Sequence, residues 1–355
     1  MEEERVEDPV EEPRRSLAGN AGLLAIAFFG TLVVLLGLVL GFRGLAAPGA
    51  SAQASPSTGQ PATQQPDASG SVAVTLPPLQ TPTPFPSASG DPVLVGAGDI
   101  AACNRDGDEA TAQLLDTIPG TVFTAGDNAY NNGSAQDFAE CYSPSWGRHR
   151  DRTRPAAGNH DWGTDNAQGY RDYFGPNALN SDGDTWYSYD LGAWHIVVLD
   201  SSCTSVGGCA RDSRQGRWLE ADLAANDAFC TLAIWHHPRF SSGDEHGSDP
   251  TVDPFWRALY AAGADVVING HDHDYERFAP QDPNGAADRE RGIRQFVAGT
   301  GGAEIRGFNE PAPHSEVRLA ISPGVLKLTL HERSYDWTWI PTNSTVSDSG
   351  FAACH

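Results

Sequence analysis

The stretch Val122-Phe123-Thr124-Ala125-Gly126-Asp127-Asn128-Ala129-Tyr130 decides how this chain is read. Residues 122–125 form a short, mostly apolar run that suits a buried strand. A Gly-Asp turn follows, so the Asp127 carboxylate stands where that strand ends. Tyr130 comes three residues later. A tyrosine there is either a packing aromatic or, with Asp127, one of a set of metal ligands. Residues elsewhere in the chain choose between the two.

Short apolar runs recur on both sides of this stretch, at 93–97, 121–125, 194–199, 231–235, 264–268, 295–298 and 325–330. Amphipathic stretches between them predict helices at 108–118, 134–142, 213–225 and 253–262. Strands alternating with helices predict α/β layering, with helices covering sheet faces. The polar residues then fall in a pattern. Asp99 follows the first run and Asp127 the second. Asn159, His160 and Asp161 follow the stretch 153–158. His236 and His237 follow the run at 231–235, and His271 and His273 follow the run at 264–268. Open α/β sheets hold their ligands at the carboxyl ends of the strands. A sheet with nothing to do but fold would not gather so many carboxylates and imidazoles at one edge, because each is costly to desolvate.

Carboxylate, imidazole, amide oxygen and phenol make a mixed N/O donor set that suits Fe, Zn or Mn better than Ca²⁺ or Cu⁺. Seven ligands with one shared carboxylate are enough for two metals. Two ions held about 3.5–4 Å apart clamp the attacking and leaving oxygens of an in-line displacement and lower the pKa of bound water. Phosphoryl transfer uses both effects.

The blocks Gly98-Asp99-Ile100-Ala101, Gly126-Asp127-Asn128-Ala129-Tyr130, Gly158-Asn159-His160-Asp161, His236-His237-Pro238 and Gly270-His271-Asp272-His273, in that order, resemble the motif series of the calcineurin-like metallophosphoesterases over about residues 91–340. The tyrosine of the second block resembles the purple acid phosphatase branch. The resemblance implies a four-layer α-β-β-α sandwich and a dinuclear centre hydrolysing phosphate monoesters by attack of a metal-bound hydroxide. Asp127 would bridge the metals. Asp99, Tyr130 and His273 would complete one site, with Tyr130 holding Fe(III). Asn159, His236 and His271 would complete the other, around a divalent Fe, Zn or Mn ion. His236 is taken as the ligand over His237 because the family places it two residues before proline; His237 and Asn159 are then expected at the substrate. The segment Gly243-Asp244-Glu245-His246-Gly247 resembles a further family segment. It makes His246 one candidate acid for the leaving group. His160 is the other, with Asp161 expected to orient it. One block departs from the pattern. Asp99-Ile100-Ala101 lacks the usual His or Gly in third place, and the missing His fits the tyrosine-containing branch. Trp162, Arg239, Phe240 and Tyr275 are expected on the rim or in its walls.

The remainder of the 355 residues frames this region. Residues 1–20 read as a charged cytoplasmic tail. Residues 21–42 are uncharged and long enough for a transmembrane anchor of roughly 20 residues. A cleaved signal peptide has a shorter apolar core; cleavage within 46–54 is the alternative. Arg14 and Arg15 precede the span, which predicts an inside N-terminus and an extracellular domain. Residues 43–90 hold nine prolines among small polar residues and read as a disordered tether. The catalytic domain is expected over 91–355. Six cysteines, none in CxxC spacing, predict disulfides in an exported domain. Cys203 and Cys209 are the favoured pair; the partners of Cys103, Cys141, Cys230 and Cys354 stay open. The net charge of −23 argues against a nucleic-acid scaffold and against long polyanionic substrates. Small phosphate esters are the expected substrates and the membrane the expected partner. A phosphodiesterase or nucleotide hydrolase of the same fold, or a non-catalytic metal-binding envelope protein, are the alternatives.

Overall fold

Strands β1 (Val93–Ala97) and β2 (Thr121–Ala125) are each buried at four of five positions. Strands covered on both faces need no polar alternation, which is why they read as continuous apolar runs. They pair in parallel, with Val95 opposite Val122, and β3 (Thr153–Ala156) continues the parallel set. The crossover between β1 and β2 is helix α1 (Gly107–Thr117), which buries Thr111, Ala112 and Leu115. These observations come from a computed structural model that describes residues 90–355. The predicted tail (1–20), anchor (21–42) and nearly all of the predicted tether (43–90) lie outside the described residues. Among the described residues, no helix is long and apolar enough to cross a membrane.

On its other side β1 meets β11 (Gly324–Leu330) in antiparallel pairing, followed by β12 (Ser334–Pro341) and β13 (Asp348–Ala353). The first sheet therefore runs β13-β12-β11-β1-β2-β3. The second sheet contains β4 (Tyr187–Leu191), β5 (Trp194–Val198), β6 (Cys230–Ile234), β7 (Val266–Asn269), β8 (Tyr275–Phe278), β9 (Arg294–Ala298) and β10 (Ser315–Leu319). Its order is β10-β8-β9-β7-β6-β5-β4, with β5, β6, β7 and β9 parallel.

The alternation of side chains along each strand builds three apolar layers. Leu232, Ile234 and Ile268 of the second sheet meet Phe123, Leu326 and Leu328 of the first in a core between the sheets. Ala233 and Val267 point the other way, onto Leu219 of α4 (Arg214–Ala225) and Trp256 and Leu259 of α5 (Asp253–Ala262). Val95 and Val122 point outward onto Leu115 of α1 and Tyr170 of α3 (Gln168–Phe174). The result is the α-β-β-α layering that the resemblance implied.

The predicted helix at 134–142 is one turn of α-helix, α2 (Ala135–Asp137), running on as a π-helical turn over Phe138–Tyr142. Ser134 and Asp137 cap its start reciprocally, side chain to backbone. Strands β4, β8, β10, β12 and β13 and helix α3 were not predicted. Sequences such as Tyr-Glu-Arg-Phe in β8 and Ser-Glu-Val-Arg-Leu in β10 carry charges and lack a continuous apolar run. Three disulfides close the domain. Cys203–Cys209 forms as predicted, and the open cysteines pair as Cys103–Cys141 and Cys230–Cys354.

Candidate metal centre

Because β1 lies beside β2 and β6 beside β7, each pair in parallel, the turns at their carboxyl ends come together. Asp99, Asp127 and His271 leave their strands with φ of 59°, 51° and 72°. Non-glycine residues in this left-handed region carry on the order of 1–3 kcal/mol of strain and persist only where surroundings hold them. Here the Asp99 amide donates to Gly126 O (3.0 Å), and the His271 amide donates to Asp99 Oδ2 (2.8 Å). The His160 amide donates to Asp127 Oδ1 (2.8 Å). Glycine is required at two close approaches. A Cβ at Gly126, itself at φ 87°, would fall 2.5 Å from the His236 ring, and one at Gly158 would fall 2.2 Å from Asp127 Oδ1.

The seven donors nominated from sequence form two sets that meet at one atom, Asp127 Oδ2. In the first set, Tyr130 Oη lies 3.0 Å from Asp99 Oδ1, 3.2 Å from His273 Nε2 and 3.3 Å from Asp127 Oδ2. In the second, His236 Nε2 lies 3.2 Å from Asp127 Oδ2, 3.1 Å from Asn159 Oδ1 and 3.2 Å from His271 Nδ1. A single N–H on His236 Nε2 cannot serve three lone-pair atoms at once, whereas a cation among them satisfies all four. The other ring nitrogens point the same way. His236 Nδ1 sits 2.8 Å from Ala125 O and His273 Nδ1 sits 2.7 Å from Glu304 O, contacts that hold each Nε2 toward the centre. Asp127, His236 and His271 also form a trio whose ligand atoms lie within 4.8 Å of one another. A second such trio, Cys230, Asp265 and Cys354, is ruled out as a metal site because its two sulfurs are joined as a disulfide. These residues fit a pair of metal ions.

With protein charges alone, neighbouring donors shift one another. Burial by itself would raise the Asp127 carboxyl, but the adjacent His236 imidazolium, helped by His160, holds it low. Burial by itself would lower His236, and the Asp127 charge outweighs it, pushing His236 up to about 10. His271 is pushed down, first by burial and then by the His236 charge. The Tyr130 phenol is held well above its ordinary range by burial and by the Asp99 and Asp127 carboxylates.

Around this centre the four remaining predicted residues take different places. His160 packs its ring on Tyr130, with centroids 4.5 Å apart, and its Nε2 faces Asp127 Oδ2 at 3.8 Å. Its Nδ1 is held by the carbonyl of Asn131 at 2.6 Å, not by Asp161. The expected role of Asp161 in orienting His160 is therefore corrected. Asp161 turns inward, fully buried, and accepts from Gly158 N (2.9 Å) and from Asn128 N and Nδ2 (3.2 and 2.9 Å). It holds the two ligand-bearing turns together. Burial and the Asp127 charge push its carboxyl up to about 7. His246 is exposed and stacks on His271 at 4.0 Å, while Arg306 Nη1 reaches its Nε2 at 3.0 Å. His237 lies beside His271, 4.3 Å between centroids, tethered through Nδ1 to Ser201 Oγ at 2.7 Å. Burial, then the His236 charge, pushes His237 down to about 4.

Among the predicted rim residues, Trp162 is half-buried beside Asn159. Arg239 pairs with Asp253 (3.2 Å), and Tyr275 is buried in the core between the sheets with its hydroxyl on Asp348 (2.7 Å). Arg306 and Asn131 escaped sequence reading because neither lies in a recognisable block. A cavity of about 730 Å³ is lined by Asp265 and Arg294 at the opposite ends of the strands and shares no residue with this centre.

The model of the calcineurin-like phosphoesterase family matches residues 93–275. The chain belongs to this family. Within it, the chain is 26% identical over 235 residues to purple acid phosphatase 15 of Arabidopsis thaliana, covering 56% of this chain and 42% of that protein. It is 29% identical over 167 residues to purple acid phosphatase 18 of the same plant, covering 45% of this chain and 37% of that one. The matches thus span about two fifths of the length of these relatives. Two solved structures show the same calcineurin-like fold. A purple acid phosphatase from yellow lupin seeds superposes with a TM-score of 0.59 at 19% identity, over 76% of this chain and 55% of its own. GAP50, the anchor in the inner membrane complex of Plasmodium, superposes at 0.55 with 15% identity, over 75% of this chain and 89% of its own.

Proposed function

We propose that the domain is a two-metal phosphoesterase acting on phosphate monoesters, in the manner of an acid phosphatase. The observation that carries this reading is the meeting of two donor sets at Asp127 Oδ2, with the solvent-reached imidazoles of His160 and His246 beside them. Asp99, Tyr130 and His273 with Asp127 would hold one ion; Asn159, His236 and His271 with Asp127 would hold the other. Charge assigns the ions. With the phenol ionised, the first set brings three negative charges and suits Fe(III). The second brings neutral donors and a shared carboxylate and suits a divalent Fe, Zn or Mn ion. Bound there, the pair supplies Lewis acidity at phosphorus and makes water acidic enough to react near neutral pH.

The chain's own groups do the rest. Asn131 fixes His160 so that Nε2 faces the centre, where it hydrogen-bonds the phosphoryl group or protonates the leaving oxygen. His246, braced by Arg306, is the second proton donor. Asn159 turns Oδ1 toward His236 and keeps its amide hydrogens for a phosphoryl oxygen. Three disulfides support an oxidising compartment, and with them we propose a catalytic domain outside the membrane, carried by the predicted tether 43–90 and the predicted anchor 21–42. Protease accessibility on intact cells tests that placement.

The enzymatic test is hydrolysis of an aryl phosphate monoester beside the matching diester, with and without chelator. Chelator-sensitive turnover favouring the monoester is expected. Preference for the diester moves the protein to a phosphodiesterase of the same fold. No turnover of either, with metal shown bound by elemental analysis, leaves a metal-binding envelope protein.

A further inference from the structure

Next to the metal centre the surface opens into a cleft of about 330 Å³. Two residues belong to both. Asn159 lines the cleft while its Oδ1 stands 3.1 Å from His236 Nε2, and His237 lines it while its ring packs on His271. A phosphoryl group at the metal centre therefore has its ester substituent directed to this cleft. We propose that the cleft is the leaving-group subsite and that it takes a neutral polyol, making the substrate the monophosphate of a sugar or a similar polyhydroxylated alcohol. The proposal rests on the phosphoesterase reading above and narrows it.

The wall chemistry carries the argument. Trp162 lines the cleft together with Thr204, Ser205 and Thr251. The Thr204 and Ser205 hydroxyls can each donate and accept, which matches a ring bearing several OH groups, while Thr251 Oγ1 donates to Asp249 (2.7 Å) and keeps only its lone pairs; an aromatic side chain suits the apolar side of such a ring. No arginine, lysine, aspartate or glutamate lines the cleft. A second phosphate would enter without a counter-charge, so bisphosphates and nucleoside polyphosphates are poorly matched. The volume is at the low end of the roughly 300–1,000 Å³ typical of ligand pockets, which suits one ring better than a nucleoside.

The walls are also fixed in advance. Buried Asp200 accepts from Trp162 Nε1 (2.9 Å), Thr185 Oγ1 (2.5 Å) and Ser202 N (2.9 Å), joining the indole to the start of the hydroxyl loop. Ser201 ties that loop to His237, and the Cys203–Cys209 disulfide closes it. Walls that need no ordering on binding lose less affinity to entropy. Asp200 is thus a positioning residue for the subsite.

The test uses the full, metal-loaded chain. kcat/KM is measured for glucose 6-phosphate, fructose 1,6-bisphosphate, a nucleoside monophosphate and an aryl phosphate, in wild type and in Thr204→Val/Ser205→Ala. Wild type is expected to favour glucose 6-phosphate over the bisphosphate and the nucleotide. Two lost hydrogen bonds should lower the glucose 6-phosphate to aryl phosphate ratio about tenfold in the variant. An unchanged ratio, or a preference for the bisphosphate or the nucleotide, overturns the proposal. Failure of metal-loaded wild type to hydrolyse any of the four esters overturns the phosphoesterase reading itself, and the cleft assignment with it.

Discussion

Tyr130→Phe removes one oxygen from the middle of the site and keeps the ring that packs on His160. The hydroxyl's nearest partner is Asp99 Oδ1 at 3.0 Å, on a carboxylate with no exposure to solvent. A hydrogen bond to a charged group contributes about 1.5–3 kcal/mol. His273 Nε2 remains 3.3 Å from the same oxygen, so the loss falls at the low end, about 1.5 kcal/mol. For a domain of this size that lowers Tm by about 3–6 °C, measured by thermal unfolding in chelator. The second readout is the metal itself. The first donor set drops from three anionic groups to two, so its match to a trivalent ion is lost. Iron-loaded wild type is expected to show a visible charge-transfer band that the variant lacks, with less iron bound by elemental analysis. The proton count adds a third. Burial, Asp99 and Asp127 keep the phenol protonated until metal displaces its proton. Wild type should therefore release one more proton than the variant on loading in weak buffer. A variant that keeps the band refutes the assignment of Tyr130 as the ferric ligand, and one that melts with wild type in chelator refutes the stabilising bond to Asp99.

Three further predictions follow from the described contacts. His160→Ala should lower turnover of esters with poor leaving groups far more than turnover of activated aryl esters; equal losses on both would make it a substrate-orienting group instead. Removing Cys230–Cys354, which spans 124 residues, should cost about 5 kcal/mol by the loop-entropy relation, against about 2 kcal/mol for Cys203–Cys209, which spans 6. Denaturant unfolding of the paired Cys→Ser variants measures both, and the reverse order would contradict the relation here. His195 bridges Asp190 (3.0 Å) and Asp222 (2.9 Å), pinning the β4–β5 hairpin to α4. Burial alone would lower its pKa, but the two carboxylates raise it. Its stabilisation is complete below the unfolded value of about 6.5 and is lost as pH rises through the higher folded value. The Tm difference between wild type and His195→Gln should therefore be larger at about pH 5 than at about pH 9, and an equal gap at both would remove the charge from the account.

Much of the candidate site could be read in the sequence because its nominated donors sit next in line to strands that advertise themselves. Strands β1, β2, β6 and β7 are buried on both faces, so each shows as an apolar run, and Asp99, Asp127, His236 and His271 follow within a few residues. The glycines at 126 and 158 belong to the same short blocks, since ligand and close approach are adjacent in the chain. The edge strand β10 and its neighbour β8 stayed hidden for the converse reason. β10 is only partly buried, and β8 places the charged residues Glu276 and Arg277 between Tyr275 and Phe278, so neither carries a continuous apolar signature.

What the sequence by itself determined was the inventory: an α/β chain, the order of the turns that carry its candidate donors, and the mixed N/O chemistry of those donors. The division of those donors into two sets was implied by the motif resemblance, and the tertiary structure shows the atom at which they meet, Asp127 Oδ2 between Tyr130 and His236. Only the tertiary structure decided that His160 leans on the Asn131 carbonyl while Asp161 is spent on backbone amides, and that Asp200 joins Trp162 to a loop nearly forty residues away. Local residue patterns report which strands are buried, because burial follows side-chain polarity. Which backbone carbonyl or amide comes to face a given side chain depends on how two sheets and their turns meet in space, and every residue carries the same backbone groups, so no sequence pattern marks them in advance.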